Sequence, residues 1–329
     1  MASILHIAGQ EEEALARACA VLARGLPVAI PTETVYGLAA DATEPDGVRA
    51  IYTVKGRPSF NPLICHMADL AMAERYAHFD PLSRRLAEAF WPGPLTLVLP
   101  LKPDSGIAPA ATGGLDTVGI RVPQGFARTL IARYGKPLAA PSANPSGRIS
   151  PTTAGHVDDG LGEKLALILD GGPASVGVES TIVKVEADGT LRLLRPGGLS
   201  AEAIEAVAGV ALLRKAAATA TIEAPGMLAS HYAPRAFVRL NAHDVAPGEA
   251  LLKFGSLPVA GEDQAALVLP LSEAGDVAEA AARLFDLMKQ ADEAGVSAIA
   301  VSPIPQEGLG EAVNDRLARA AAPRPEDYE

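Results

Sequence analysis

Gln10-Glu-Glu-Glu-Ala-Leu-Ala-Arg-Ala-Cys-Ala-Val-Leu-Ala-Arg24, then Gly25-Leu-Pro-Val-Ala-Ile30, then Pro31-Thr-Glu-Thr-Val-Tyr-Gly37, sets the fold class of this chain. Leu15, Ala18, Cys19 and Leu22 recur at i, i+3, i+4 and i+7, the spacing of one helix face. Glu11, Glu12 and Glu13 suit the positive start of a helix, and Gly25 suits its stop. Pro27–Ile30 is short, apolar and bounded by proline, which predicts a buried strand. It leads directly into a polar loop.

The same alternation continues outward. Asp46 can cap a helix through Val48, Ile51 and Tyr52 that ends at Lys55-Gly56. Leu63–Met67 reads as a strand. A helix over Leu82–Phe90 precedes the stiff turn Trp91-Pro-Gly-Pro94 and a strand over Leu95–Leu99. Val118–Val122 and Leu138–Ala140 are strands on either side of a helix at Ala127–Tyr134. Leu165–Leu169 and Thr181–Val185 extend the sheet, and Asp188-Gly189 turns Val185 back into Leu191–Leu194. A helix at Ser200–Val207 closes the series. Strands alternating with helices predict an α/β domain over residues 1–210, built on a twisted mixed sheet. Residues 211–235 read as a linker, alanine-rich and then turn-rich. Residues 236–329 read as a smaller Rossmann-like α/β unit, with strands near 237–240, 250–253, 266–269 and 297–301 and helices over 276–294 and 309–321. Roughly 90 residues is short for a complete dinucleotide fold.

Composition narrows the function. The 329 residues carry 28 Lys and Arg against 39 Asp and Glu, a formal charge of −11. Most of that charge lies after residue 235, where seven basic residues face sixteen acidic ones. An acidic region repels nucleic acid and anionic membranes, so an anionic substrate is expected in the nearly neutral front part. No apolar run reaches the ~18 residues of a membrane span, and the start lacks the pattern of a signal peptide. Two cysteines, Cys19 and Cys65, cannot form a disulfide framework or a four-cysteine zinc site. A cytoplasmic protein with plain buried thiols is the expectation.

No G-x-x-x-x-G-K-[ST], strand-borne G-x-G-x-x-G or H-E-x-x-H is present. Any nucleotide must be held by other groups. Lys55-Gly-Arg57 places two cations one glycine apart after a helix, and Pro58 and Asn61-Pro62 stiffen the loop beyond them. Such a pair can clamp phosphate or carboxylate, or simply be a solvated helix end. Pro141-Ser-Ala-Asn-Pro-Ser-Gly147 presents hydroxyls, an amide and open N–H groups after a strand, which suits an anion or an ordinary turn. Gly119-Ile-Arg-Val-Pro123 buries Arg121 in a strand, where a charge needs a ligand or an ion pair, with Glu33 or Glu179 as partners. Glu179-Ser-Thr-Ile-Val183 and Leu194-Arg-Pro-Gly-Gly198 add a carboxylate, two hydroxyls and Arg195 at strand ends. Ligands in α/β sheets bind at such ends. His66 is either a hydrogen-bonded core histidine or a ligand. His231 and Tyr232 lie in the linker, where an aromatic residue can serve as a lid.

Together, Pro31–Leu38, Lys55-Gly-Arg57, Asn61-Pro-Leu63, Trp91-Pro-Gly-Pro-Leu-Thr96, Gly119–Pro123, Ser142-Ala-Asn144, Glu179-Ser-Thr-Ile182 and Leu194-Arg-Pro-Gly197 resemble the YrdC-like threonylcarbamoyl-AMP synthases. Pro225-Gly-Met227, His231-Tyr-Ala-Pro234, Asn314-Asp-Arg-Leu317 and Arg319-Ala-Ala321 resemble the long two-domain form. The resemblance implies a nucleotidyltransferase that joins L-threonine, bicarbonate and ATP into threonylcarbamoyl-adenylate and pyrophosphate, for modification of tRNA beside the anticodon. It implies a YrdC-like front domain with a positive cavity, a linker lid, and a Rossmann-like second domain that anchors the lid. Lys55, Arg57, Ser142 and Asn144 would hold the phosphates and the carbamate. Arg195 would take a second phosphate face, and Asn61, Thr117 and Ser150 would help fix the nucleotide, with Tyr232 over the mouth. Arg121 would bind the threonine carboxylate, with Thr34, His66 and Ser180 around it. Mg²⁺ would be held mainly by ATP phosphates, with no protein metal ligand. The product would pass to a downstream tRNA threonylcarbamoyl-transferase machinery, without stable nucleic-acid binding or a membrane. Some relatives carry a basic residue shortly after Pro-Gly-Met, where this chain has Leu228-Ala-Ser230. An RNA-binding module is disfavoured by the −11 charge and the 4% aromatic content. A hydrogenase-maturation carbamoyltransferase is disfavoured because zinc-finger cysteines and an acylphosphatase-like segment are missing.

Overall fold

The computed structural model describes residues 2–214, 222–227 and 230–323. The alanine-rich part of the linker at 215–221 and the Leu228-Ala229 step after Pro-Gly-Met lie outside the described residues. The front part contributes β1 (Ser3–His6), β2 (Val28–Ile30), β3 (Gly37–Asp41), β4 (Ile64–His66), β5 (Leu95–Pro100), β6 (Thr117–Arg121), β7 (Leu138–Ala139), β8 (Leu167–Asp170), β9 (Thr181–Val185), β10 (Leu191–Arg195) and β11 (Leu213–Arg214). They form one sheet in the order β1-β8-β2-β3-β7-β4-β6-β5-β9-β10-β11. Parallel pairs (β1 with β8, β4 with β6, β5 with β9) mix with antiparallel ones (β2 with β3, β5 with β6, β9 with β10). The mixed α/β class expected from the alternation is the one observed. β12 (Phe237–Arg239), β13 (Ala250–Phe254), β14 (Leu267–Ser272) and β15 (Ala298–Val301) form a second sheet in the order β12-β15-β13-β14. All its pairs are parallel; the Val277–Glu293 helix carries the chain from β14 back to β15, and the Leu309–Ala321 helix follows the last strand.

Local chemistry explains most boundaries. The first helix runs Glu11–Leu22 with three glutamates in its first turn. The second runs Pro45–Lys55; its N-cap is Glu44, not Asp46, because Pro45 occupies the first helical position and needs no N–H partner. Gly56 ends it in the left-handed region at φ 63°. The hairpin at Asp188-Gly189 joins β9 and β10 as expected. Several elements escaped the pattern reading: β1, β3 and the helices Leu70–Tyr76, Pro109–Thr112 and Ala154–Leu161. β3 is Gly-Leu-Ala-Ala-Asp and buried throughout, so it shows neither alternation nor branched residues.

The two parts share packing. Val35, Ile149, Val178 and Tyr232 belong to the same apolar cluster as Phe285, Met288, Val313 and Leu317 of the second unit. Gly177 lies at this seam with φ 77°, and a Cβ there would stand 2.4 Å from Ala281 O and 2.4 Å from Ala282 Cα. Gly177→Ala therefore pushes the Val277–Glu293 helix off the front part. Urea unfolding should show a loss of about 1–3 kcal/mol, the usual cost of overpacking. An unchanged midpoint would mean the seam is looser than the geometry requires.

Candidate active site

β4 and β6 run side by side and end together, so His66 pairs in register with Arg121. β9 begins where β5 begins, which places Ser180 beside Thr96; the two hydroxyls lie 2.8 Å apart. The ladder of β9 and β10 shifts between Leu193 and Arg195, a bulge at the strand end that carries Arg195. The loop after β7 is pinned from two sides. Leu38 N–H donates to Pro141 O at 2.7 Å, Ala143 N–H to Tyr36 O at 2.8 Å, and Ser146 N–H to Lys55 O at 2.8 Å. These segments enclose a narrow recess with about 50 Å³ of free space, its wall closed over by the linker residues Pro225, Gly226, His231 and Tyr232.

Thr34, Arg57, His66, Arg121, Ser142, Ser180, Arg195 and Tyr232 line this recess together. Eight of the residues singled out in the sequence, scattered over some two hundred positions, therefore meet in one place. Lys55, Asn61, Asn144 and Ser150 stand just behind the wall, and each supports it. The left-handed Gly56 sends its two neighbours apart. Lys55 is buried, and its Nζ donates to Ser142 O at 2.6 Å and also to Asn144 O. It thus stretches under the Ser142–Asn144 loop and shapes it. Arg57 donates from Nε to Asn61 O at 3.1 Å and from Nη2 to Asn61 Oδ1 at 2.7 Å and Pro62 O at 2.9 Å. Asn61 thereby aims Arg57, and Nη1 stays outside that set. Asn144 donates to Arg148 O at 2.7 Å and closes its own turn. Ser150 donates to Glu179 Oε1 at 2.5 Å. Thr117 is the exception: it begins β6, four residues from Arg121, pairs with Pro100 and does not reach the recess.

Arg121 has its ion pair, and the partner is Glu33, at 2.7 Å from Nη2 to Oε1. Those two atoms meet as charges without hydrogen-bond alignment, so Nη2 keeps a donor to offer. Its Nε donates to Gly93 O at 3.2 Å and its Nη1 to Thr34 Oγ1 at 2.9 Å. Gly93 is required at that turn, since a Cβ would sit 2.4 Å from Phe90 O. Arg195 donates from Nε and Nη2 to Ser180 O at 3.1 and 2.9 Å, and from Nη1 to Pro225 O at 3.3 Å. The last bond ties the linker to the front domain. Gly226, at φ 85°, lies so close that a Cβ would be 2.7 Å from Arg195 Cδ.

Burial governs the charge states. It drives Lys55 well below the usual lysine range, with Arg57 adding to the effect. It pulls Arg57 down to about 10. His66 is held at about 3 by burial and by neighbouring Arg121, so its imidazole is neutral at pH 7. His231 is held at about 3 by burial, with Arg57, Lys55 and Arg195 opposing a further charge and only Glu179 favouring one. Burial alone would raise the Glu179 carboxyl; Arg316, Arg195 and Ser150 overcome it and hold the group at about 2. Among the described residues no cluster of three or more His, Cys, Asp or Glu could hold a metal ion.

A carboxylate already noted at a strand end and an arginine that the sequence did not single out for the site complete the wall. Glu179 lines the recess as its one carboxylate among the described residues. Arg316, from the last helix, pairs with it at 2.7 Å. A signal existed: Leu309, Val313, Arg316, Leu317 and Ala320 recur at helical spacing, and an arginine inside an apolar stripe calls for a buried partner.

Comparison with known proteins gives the family of the chain. A family model described as "Telomere recombination", covering the Sua5, YciO and YrdC proteins, matches residues 20–197. A second, the threonylcarbamoyl-AMP synthase C-terminal domain, matches residues 199–322. The threonylcarbamoyl-AMP synthase of Bacillus subtilis is 41% identical over 94% of this chain and 93% of its own length. That of Pyrococcus abyssi is 40% identical over 98% and 99%. The crystal structure of P. abyssi Sua5 complexed with L-threonine superposes with a TM-score of 0.86 at 36% identity, covering 98% of this chain and 97% of that one. Escherichia coli YciO, at 21% identity and a TM-score of 0.54 over 60% of this chain and 96% of that one, shares the fold of the front part. With both family models matched in sequence order and full-length relatives on either side, the chain belongs to the threonylcarbamoyl-AMP synthase family.

Proposed function

We propose that this chain condenses L-threonine, bicarbonate and ATP into threonylcarbamoyl-adenylate and pyrophosphate, in the cytoplasm, for the threonylcarbamoyl modification of tRNA. The observation that carries this reading is the convergence of Arg57, Arg121 and Arg195 on one recess with hydroxyls of Thr34, Ser142 and Ser180 between them. The threonine amine and bicarbonate give a carbamate and water. A carbamate oxygen attacks the α-phosphorus of ATP, and pyrophosphate leaves. The nucleophile belongs to the substrate, so the protein needs position and charge rather than a nucleophilic side chain.

Arg57 and Arg195 suit the phosphates, because their hydrogen-bond partners in the wall are neutral groups, chiefly carbonyls. Their positive charge is left for a ligand. Lys55 and Asn144 serve by building the Ser142 loop, and Asn61 by aiming Arg57. Ser150 reaches the nucleotide wall through Glu179. Thr117 has no part in this version of the site. Arg121 suits the threonine carboxylate through Nη2, with Thr34, His66 and Ser180 around it; neutral His66 adds no competing cation. Mg²⁺ would arrive on the ATP phosphates, since the one carboxylate among the described lining residues is already engaged on both oxygens. Tyr232 and Gly226 cover the recess and would shield the carbamate from bulk water. The product would then pass to a separate transferase, and the acidic second unit argues against holding the tRNA itself.

Pyrophosphate release from ATP that requires both threonine and bicarbonate is the direct test; release indifferent to either one would end this reading. Arg57→Ala should remove that activity by at least about 100-fold, as losing a charge-stabilising donor does elsewhere, while circular dichroism stays native. Arg121→Met should raise the KM for threonine about tenfold or more, the effect of one lost charge-assisted hydrogen bond, with a smaller change in the KM for ATP. The reverse split would move the carboxylate site elsewhere. The two neutral histidines also set a pH dependence. Unfolded imidazoles bind a proton below about pH 6.5, while the folded ones resist until about 3. Their contribution is complete above pH 6.5 and is lost as pH falls towards 3. Unfolding free energy should therefore drop by about 1.4 kcal/mol per pH unit for each imidazole below pH 6.5. Denaturant titrations at pH 7.5, 6.0 and 5.0 measure it, and His66→Gln should flatten the slope by one proton.

A further inference from the structure

Arg316 is fully buried, on the Leu309–Ala321 helix of the second unit, yet it reaches the wall of the front recess. Its Nε donates to Glu179 Oε2 at 2.7 Å, while Ser150 occupies Glu179 Oε1 at 2.5 Å. Both oxygens of this recess carboxylate are thus turned to protein donors. The Arg316 guanidinium carbon also stands 5.1 Å from the centre of the Tyr232 ring, which packs 5.5 Å from Phe285 on its own account. Tyr232 is held at φ 62°, an uncommon conformation for a bulky side chain that needs surrounding packing to persist. Asp315, beside it, takes Arg316 Nη1 at 2.6 Å and Arg319 Nε at 3.0 Å, so the guanidinium is fixed from its own helix as well. The Tyr232 hydroxyl and His231 Nδ1 are buried in the recess wall without a partner among the described residues.

These contacts pose a chemical problem and answer it. A bare carboxylate in the wall of a pocket for a nucleoside triphosphate would repel its phosphates. Removing one partner of a buried pair leaves such an uncompensated charge. We propose that Arg316 is a positioning residue which the second domain lends to the nucleotide pocket: it neutralises and orients Glu179 and seats the Tyr232 ring, so that ATP binding depends on the docked second domain. This rests on the reading of the recess as an ATP site. It also gives the second domain a task inside the site, beyond anchoring the linker.

The test is a cycle of Arg316→Met, Glu179→Gln and the double variant, read by calorimetric titration with ATP and separately by the KM for ATP and for threonine. Arg316→Met should weaken ATP binding about tenfold or more, the size of one unscreened like-charge contact, and leave the KM for threonine within about threefold. The double variant, which has neither the stranded carboxylate nor the buried guanidinium, should return to within about threefold of the wild-type affinity, with Glu179→Gln supplying the remaining corner of the cycle. Arg316→Lys, which keeps the charge, should recover most of what Arg316→Met loses. Should Arg316→Met fail to fold, Arg316→Gln takes its place in the cycle, with the same loss for ATP and the same recovery on adding Glu179→Gln expected. Equal losses for ATP and threonine, or no recovery in the double variant, would overturn the proposal. A wild-type protein that binds no ATP would instead overturn the functional reading beneath it.

Discussion

Positive charge held out of water by neutral dipoles governs the construction of this molecule. A buried cation is costly unless partners replace its hydration. A carboxylate partner would do so and cancel the charge as well. Lys55, Arg57 and Arg195 instead take partners that carry no charge, chiefly the carbonyls of residues 142, 144, 61, 62, 180 and 225. Hydrogen bonding is largely satisfied, and net charge is left over for an anion. The burial that lowers the proton affinity of Lys55 and Arg57 has the same origin. Arg121 and Arg316 differ, each meeting a carboxylate.

That arrangement dictates the loops. Main-chain carbonyls can point at a guanidinium only if the backbone is held in unusual shapes, which accounts for the glycines and prolines around these cations. Gly56 parts Lys55 from Arg57, Gly93 lets its own carbonyl face Arg121, and Gly226 leaves room for Arg195. The sheet supplies the rigid frame. β4, β6, β9 and β10 bring His66, Arg121, Ser180 and Arg195 to one region, because the parallel pair β4 and β6 ends together and the start of β9 lies beside the end of β10.

The second domain is part of the same arrangement. Its core includes Val35, Ile149 and Val178 from the front part, all near recess segments. A pocket built of isolated loops would move relative to itself; packing against the Val277–Glu293 and Leu309–Ala321 helices limits that freedom. The linker residues Pro225, Gly226, His231 and Tyr232 are held between the two bodies and complete the wall.

Periodicity, turn residues and charge are local properties, and they were enough to establish the α/β class, most strand and helix positions, and the identities of the cations and hydroxyls. They left open whether Arg121 paired with Glu33 or Glu179, and they missed β3, whose small buried residues carry no alternating pattern. Which polar residues face the recess and which stand behind it emerged only from the packed chain. Lys55 and Arg57 are neighbours in sequence yet play different parts, since one left-handed glycine turns them apart. Glu179 and Arg316 are 137 positions apart, and only the docking of two separate sheets with their helices brings them into contact.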